Sequence, residues 1–114
     1  MESNGEKKKR NVAFDRKINT ISKTDIRVKV IGTVIERDAI TNSVVIDDGE
    51  SKVRVLLDET VFGPAELGKL VRVIGIVAPA LEGEGFELRG EILQDFSNLD
   101  KELYQNYINL SSQQ

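Results

Sequence analysis

DIRVKVIGTVIERD, residues 25–38, places Ile26, Val28, Val30, Gly32 and Val34 on one face of an extended chain, while Ile31 and Ile35 add apolar groups to the other. This is strand periodicity over about eleven residues. Moving C-terminally, TNS at 41–43 reads as a turn, Val44 to Ile46 is β-branched, and Asp47-Asp48-Gly49-Glu50 is a strong turn signal before a strand at 52–57. In that third strand Lys52, Arg54 and Leu56 alternate with Val53, Val55 and Leu57. One face is therefore wet and the other enters a core.

The next stretch, DETVFGPAELGKL, predicts a short helix or turn around Ala65, Glu66 and Leu67, closed by Gly68. A fourth strand covers Leu70 to Val77, with Val71, Val73, Gly75 and Val77 sharing a face, and Pro79 ends it. After the loop APALEGEG, a fifth strand from Phe86 to Leu93 has Phe86, Leu88, Gly90 and Ile92 as its inward series. Gly32, Gly75 and Gly90 lie within strands, where glycine is costly unless the sheet bends or backbones approach closely. Together these features predict an all-β protein: a closed five-stranded barrel with a short helical insert between the third and fourth strands. Closure also removes the exposed edges of a flat sheet.

Beyond the barrel, SNLDKELYQNYINL carries Leu99, Leu103, Tyr104, Tyr107 and Leu110 at helical spacing, with Ser97 as its cap. A lone helix of about thirteen residues is marginal in water, so this stripe is expected to be covered by its own barrel or by another subunit. The expected organisation is a flexible basic arm at 1–22, a barrel at 23–96, a C-terminal amphipathic helix at 97–111 and a short tail at 112–114.

The 114 residues contain no Cys, His or Trp, which removes disulfides, thiol nucleophiles, imidazole bases and the usual zinc ligand sets. No phosphate-binding or dinucleotide fingerprint and no nucleophile elbow is present, so no enzymatic activity and no cofactor is expected. The acids Asp47, Asp48 and Glu50, or Glu82, Glu84 and Glu87, fall in turns and loops where carboxylates face water, and no metal site is expected. Nor does any apolar run suit a signal or a span, making the cytoplasm the expected location, with nucleoid association in a prokaryote and no membrane partner. The net charge of -3 is divided unevenly. Residues 1–29 hold nine basic and four acidic groups, and residues 30–114 hold seven and fifteen. Lys7, Lys8, Lys9 and Arg10 make an arm able to meet phosphates without sequence preference.

The stretches IRVKVIGTVIERD, VVIDDGESKVRVLL, GKLVRVIGIV and FELRGEILQDF resemble the oligonucleotide-binding (OB) fold of single-stranded DNA-binding proteins. The resemblance is to the middle and small subunits of replication protein A and their archaeal relatives, over roughly residues 24 to 111. It implies a groove for a single strand over the second and third strands, bordered by the loops 35–44 and 79–85. It also implies a C-terminal helix that joins OB subunits or copies of the chain. Such a groove needs cations and flat faces. Arg54 is the leading candidate, followed by Lys52, Arg37 and Arg89, with Lys29 and Arg72 less firmly sided. Phe86 is the one aromatic near a stacking position, since the second and third strands have none. Phe62 and Phe96 are expected to plug the barrel. The expected function is sequence-nonspecific binding of single-stranded DNA in replication or repair, with RNA also acceptable. The alternative is a structural OB subunit that assembles a larger complex.

Overall fold

The computed structural model describes residues 12–22, 24–80, 83 and 85–97. Its strands are β1 (Phe14–Asp15), β2 (Arg27–Asp38), β3 (Ser43–Asp47), β4 (Lys52–Leu56), β5 (Leu70–Pro79) and β6 (Phe86–Asp95). A 3-10 turn spans Ile18–Thr20 and a single-turn helix, α1, spans Glu59–Phe62. The order β2-β3-β4-β6-β5, with β5 paired back onto β2, closes five strands into a barrel. Only β4 and β6 run parallel within that ring.

Closure depends on β2 having two partners. Arg27 to Thr33 pair with Ile76 to Leu70 of β5, whereas Thr33 to Asp38 pair with Asp47 to Ser43 of β3. The exchange occurs beside Gly32, where a Cβ atom would lie 2.8 Å from the Asp47 carbonyl oxygen. The register then skips Ile35, a bulge that bends the strand and lets it run on to Asp38. The loop expected from Ile35 to Val44 is accordingly reduced to residues 39–42. Val28, Val30, Ile46, Val55, Val73 and Leu88 are completely buried inside the ring, and five of these six are β-branched residues suited to a pleated wall.

Two expected inward residues face out. Ile26 lies just before β2 and is exposed. In β6, Ile74 pairs with Ile92 but Gly75 pairs with Gly90, leaving Glu91 as an extra residue. This bulge reverses the alternation, so Leu93 packs on the core and Ile92 is exposed. The expected turn closed by Gly68 is present, with the Lys69 N–H donating to the Glu66 carbonyl at 3.2 Å and Gly68 at φ 85°, but the helical turn itself stands earlier, before Gly63. Asp58 caps it by accepting the Val61 N–H at 3.0 Å, and the Thr60 hydroxyl and Val61 N–H hold its carboxyl below the usual range. Phe62 does join the core, as does Ala65. Phe96 does not plug the barrel: it is half-buried beneath the Arg72 guanidinium, 4.8 Å from its ring centre.

Residues 12–22, expected within a flexible arm, are built onto the barrel. β1 pairs in parallel with Val28 and Lys29, and Ile18 and Ile21 are buried in the core. Asp48 explains part of this attachment: one carboxylate oxygen accepts the Ile18 N–H at 2.9 Å while the other accepts the N–H groups of Glu50 and Ser51. The Lys7–Arg10 run and the stripe from Leu99 to Leu110 lie outside the described residues.

At the end of β6, Asp95 receives the Ser97 hydroxyl and N–H and the Lys69 ammonium at 3.2 Å. The Ser97 hydroxyl is the main reason its pKa is lowered from 3.8 to about 2. A depressed carboxylate stabilises the fold above its unfolded pKa and loses that contribution as pH falls through the folded value. Asp95→Asn is therefore expected to lower stability at neutral pH and to flatten the acid limb between about pH 4 and pH 2. Urea denaturation at several pH values checks this, and a parallel loss in both proteins contradicts it.

Candidate nucleic-acid interface

The β3–β4 wall displays its polar alternate residues outward. Val45 is opposite Arg54 and Asp47 is opposite Lys52, while the parallel register of β4 and β6 sets Leu56 beside Arg89. Lys52, Arg54 and Arg89 consequently share the outer face of two neighbouring strands, and all three are exposed. Where this face meets the 39–42 loop there is a groove of about 430 Å³, lined by Glu36, Arg37, Asp38, Ile40, Val45 and Arg54, among others.

Arg54 occupies the floor of that groove. Its Nη2 donates to Thr41 Oγ1 at 3.3 Å, and its Nε lies 3.9 Å from Glu87 Oε2. The Arg54 side chain is 43% exposed, whereas that of Glu87 is only 7% exposed. Glu87 is the residue that sequence reasoning misplaced, since an acid at a loop exit was expected to face water. It is the second residue of β6, paired with Ala78 of β5, and is buried beside Arg54. Strand alternation with Phe86 and Leu88 gives its outward side, but nothing in the local sequence signals its burial. The ion pair steers the guanidinium but leaves much of it open to a second anion.

Arg37 is occupied differently. Its Nε donates to the Ala65 carbonyl at 2.9 Å, and Nη2 donates to the carbonyls of Phe62 and Gly63 at 3.0 and 3.3 Å. The guanidinium also lies over the Phe62 ring at 3.9 Å. These are carbonyls at and just after the end of α1, of which that of Phe62 also accepts the Ala65 N–H at 3.0 Å, so Arg37 locks the helical turn to the barrel and is largely spent as a phosphate ligand. Arg37→Ala is expected to cost about 2 kcal/mol by exposing those carbonyls and unpacking Phe62, with Arg37→Lys recovering little of it. Equal chemical-denaturation midpoints for wild type and Arg37→Ala would dismiss this role.

The remaining expected site residues are elsewhere. Lys29 faces Asp15 at 3.8 Å, and Arg72 donates to Gln94 Oε1 at 2.7 Å, both on the β2–β5–β6 side. Phe86 is partly buried against the core, at an apolar cavity of about 580 Å³ with Val77, Pro79 and Ala80. Seven expected residues thus reduce to three that share the outer β4–β6 face, with no aromatic ring among the described residues lining the groove.

The groove also contains negative charge. Asp38 Oδ1 accepts the Ile40 N–H at 2.9 Å and the Thr41 N–H at 3.4 Å. The Ile40 N–H chiefly, then Thr41 and the Arg54 charge, lower the Asp38 pKa, so it is ionised at neutral pH. Glu36 lines the groove as well, so among its described lining residues Arg54 is the cation left open, set among acids, with Lys52 and Arg89 further along the outer face. Such a surface suits a few phosphate contacts better than a long electropositive channel. Among the described residues no group of three or more acids is arranged to hold a metal, and no helix is long and apolar enough to cross a membrane.

No family model and no curated protein sequence matches this chain. Its fold is nevertheless shared with solved structures. A chain of the S. pombe Stn1-ten1 complex is similar with a TM-score of 0.67 and 15% identity, covering 90% of this chain and 94% of that one. A chain of a replication protein A heterotrimer bound to ssDNA is similar with a TM-score of 0.57 and 16% identity, over 75% of this chain and 67% of that one. The hypothetical protein ygiW from E. coli gives a TM-score of 0.56 and 15% identity, over 75% and 90%. At these identities the likeness is one of architecture, a closed OB-type barrel.

Proposed function

We propose that this chain is a single-strand-binding OB module that holds DNA weakly and without sequence preference in the groove over β3 and β4. The observation that carries this reading is Arg54, 43% exposed on the groove floor and steered there by a buried carboxylate. Lys52 and Arg89 extend the cationic track, and Lys7, Lys8, Lys9 and Arg10 add long-range attraction. The architectural likeness to chains of the Stn1-ten1 complex and of a replication protein A heterotrimer supports a place in replication or repair, with the cytoplasm as the expected location and nucleoid association if the source is a prokaryote. No catalytic role is assigned to any residue.

With no stacking ring among the described residues of the groove, backbone electrostatics is the main source of affinity. About two or three phosphate contacts imply a slope of log K against log salt near -2 for a single strand. Anisotropy titrations of the full chain with labelled oligothymidine, oligoadenosine and a mixed sequence test this reading. The expected result is similar affinity for all three and strong weakening by salt. Absence of binding to every oligonucleotide at low salt sinks it.

A second reading draws support from Ile76 and Ile92, exposed on the adjacent β5–β6 wall, with Ile76 paired to Arg89. There the chain is a structural OB subunit, joined to other OB subunits or to itself through that wall and the Leu99, Leu103, Tyr104, Tyr107 and Leu110 stripe. A monomeric mass at high concentration together with strong single-strand binding argues against it.

A further inference from the structure

We infer that Ile40 is the apolar base contact of this groove, an aliphatic platform where no aromatic one is present; the inference rests on the single-strand-binding reading above. Ile40 is 94% exposed, the most exposed of the large apolar residues described. Exposed apolar residues are common singly and need no explanation by themselves. This one stands on a loop that is fixed at both ends. Asp38 Oδ1 accepts the N–H groups of Ile40 and Thr41, and the Thr41 and Ser43 hydroxyls are bonded at 2.7 Å. Asn42 adopts a left-handed conformation with φ 54°, and its carbonyl accepts the Leu57 N–H at 2.9 Å. The side chain is thus presented with its main chain already ordered, which reduces the entropy cost of using it in binding.

Its position decides the partner. Ile40 lines the same groove as Arg54, and the next residue, Thr41, accepts the Arg54 guanidinium. A strand whose phosphate meets Arg54 has its adjacent base at the rim where Ile40 stands. Around Ile40 the exposed neighbours are Asp38, Ala39 and Thr41, polar or small. A protein anchor would normally lie within a wider apolar cluster. One aliphatic face beside a guanidinium instead matches a nucleobase, whose plane is apolar whatever its edge. That also makes the contact indifferent to sequence.

The chain contains no tryptophan, so Ile40→Trp creates a unique fluorophore at this rim. With oligothymidine at low salt, the full-length Ile40→Trp protein is expected to bind about fivefold more tightly than wild type and to lose emission on binding. Ile40→Ala is expected to bind about fivefold more weakly with the same salt slope, because the lost contact is uncharged. Wild-type binding that Ile40→Ala leaves unchanged, with no change in indole emission, overturns the inference while leaving the single-strand reading intact. If wild type binds no oligonucleotide, the single-strand reading itself fails and this inference falls with it. Self-association of wild type that Ile40→Asp abolishes would assign the residue to a protein contact and equally overturn it.

Discussion

Gly75→Ala is expected to be among the most destabilising single-methyl changes in the chain, at about 3 kcal/mol. A Cβ atom at position 75 would lie 2.6 Å from the carbonyl oxygen of Arg89 and 3.2 Å from the Cα of Gly90. Both are backbone atoms of the paired strand, so no rotamer change relieves the overlap; β5 and β6 must separate at the bulge that reverses the inward face of β6. The informative control is Gly90→Ala. There the nearest atoms are side-chain ones, Leu57 Cδ2, a flexible end, and Val55 Cγ1, on a stiffer β-branched residue. Its expected cost is about 1 kcal/mol. Urea denaturation separates the two, with the Gly75→Ala midpoint about 2 M below wild type and Gly90→Ala between them. Equal midpoints for the two variants would mean that the close backbone approach at Gly75 does not shape the barrel.

Arg54→Gln is expected to weaken oligonucleotide binding about tenfold at low salt and to reduce the salt slope by about 0.7, the loss of one phosphate contact. The change also strands the Glu87 carboxylate, which is 7% exposed on its side chain and faces Arg54. A fall in stability therefore accompanies the fall in affinity. The pair Arg54→Gln with Glu87→Gln separates the effects. Neutralising the carboxylate restores much of the stability, yet binding remains weak because the cation is gone. Glu87→Gln alone is expected to bind about threefold more tightly, since phosphate no longer competes with a protein anion for the guanidinium. If the double variant binds like wild type, Arg54 is a structural partner of Glu87 and not a ligand of the strand.

Strand alternation made most of the barrel legible. Val28, Val30, Val53, Val55, Val71 and Val73 all face inward as their spacing indicates, because a period of two leaves little freedom once one face is buried. The bulges at Ile35 and Glu91 were not legible, since an extra residue changes which face follows it without leaving a turn signal. Ile92 is the cost of that silence. Ile18 and Ile21 were likewise hidden in a basic, polar context, and the main chain at Ile18 is held by an Asp48 carboxylate about thirty residues away in sequence. At the site, charge type was readable and commitment was not. Arg37 and Arg54 look alike in sequence; only tertiary structure reveals that one is bound to the end of α1 and the other stays half open. Ile40 had a faint signal, an isolated large apolar residue in the turn-like run DAITNS.

The most direct test of the groove is an amide NMR titration of the full chain with a short oligothymidine at low salt. The expected shifts concentrate on residues 36–45 and 52–56 and on Arg89, and largely disappear in Arg54→Gln. Shifts confined to residues 27–33 of β2, to β5 and to residues 91–95 of β6 around Ile92, or no shifts at all at millimolar oligonucleotide, would contradict the assignment of this face to a single strand.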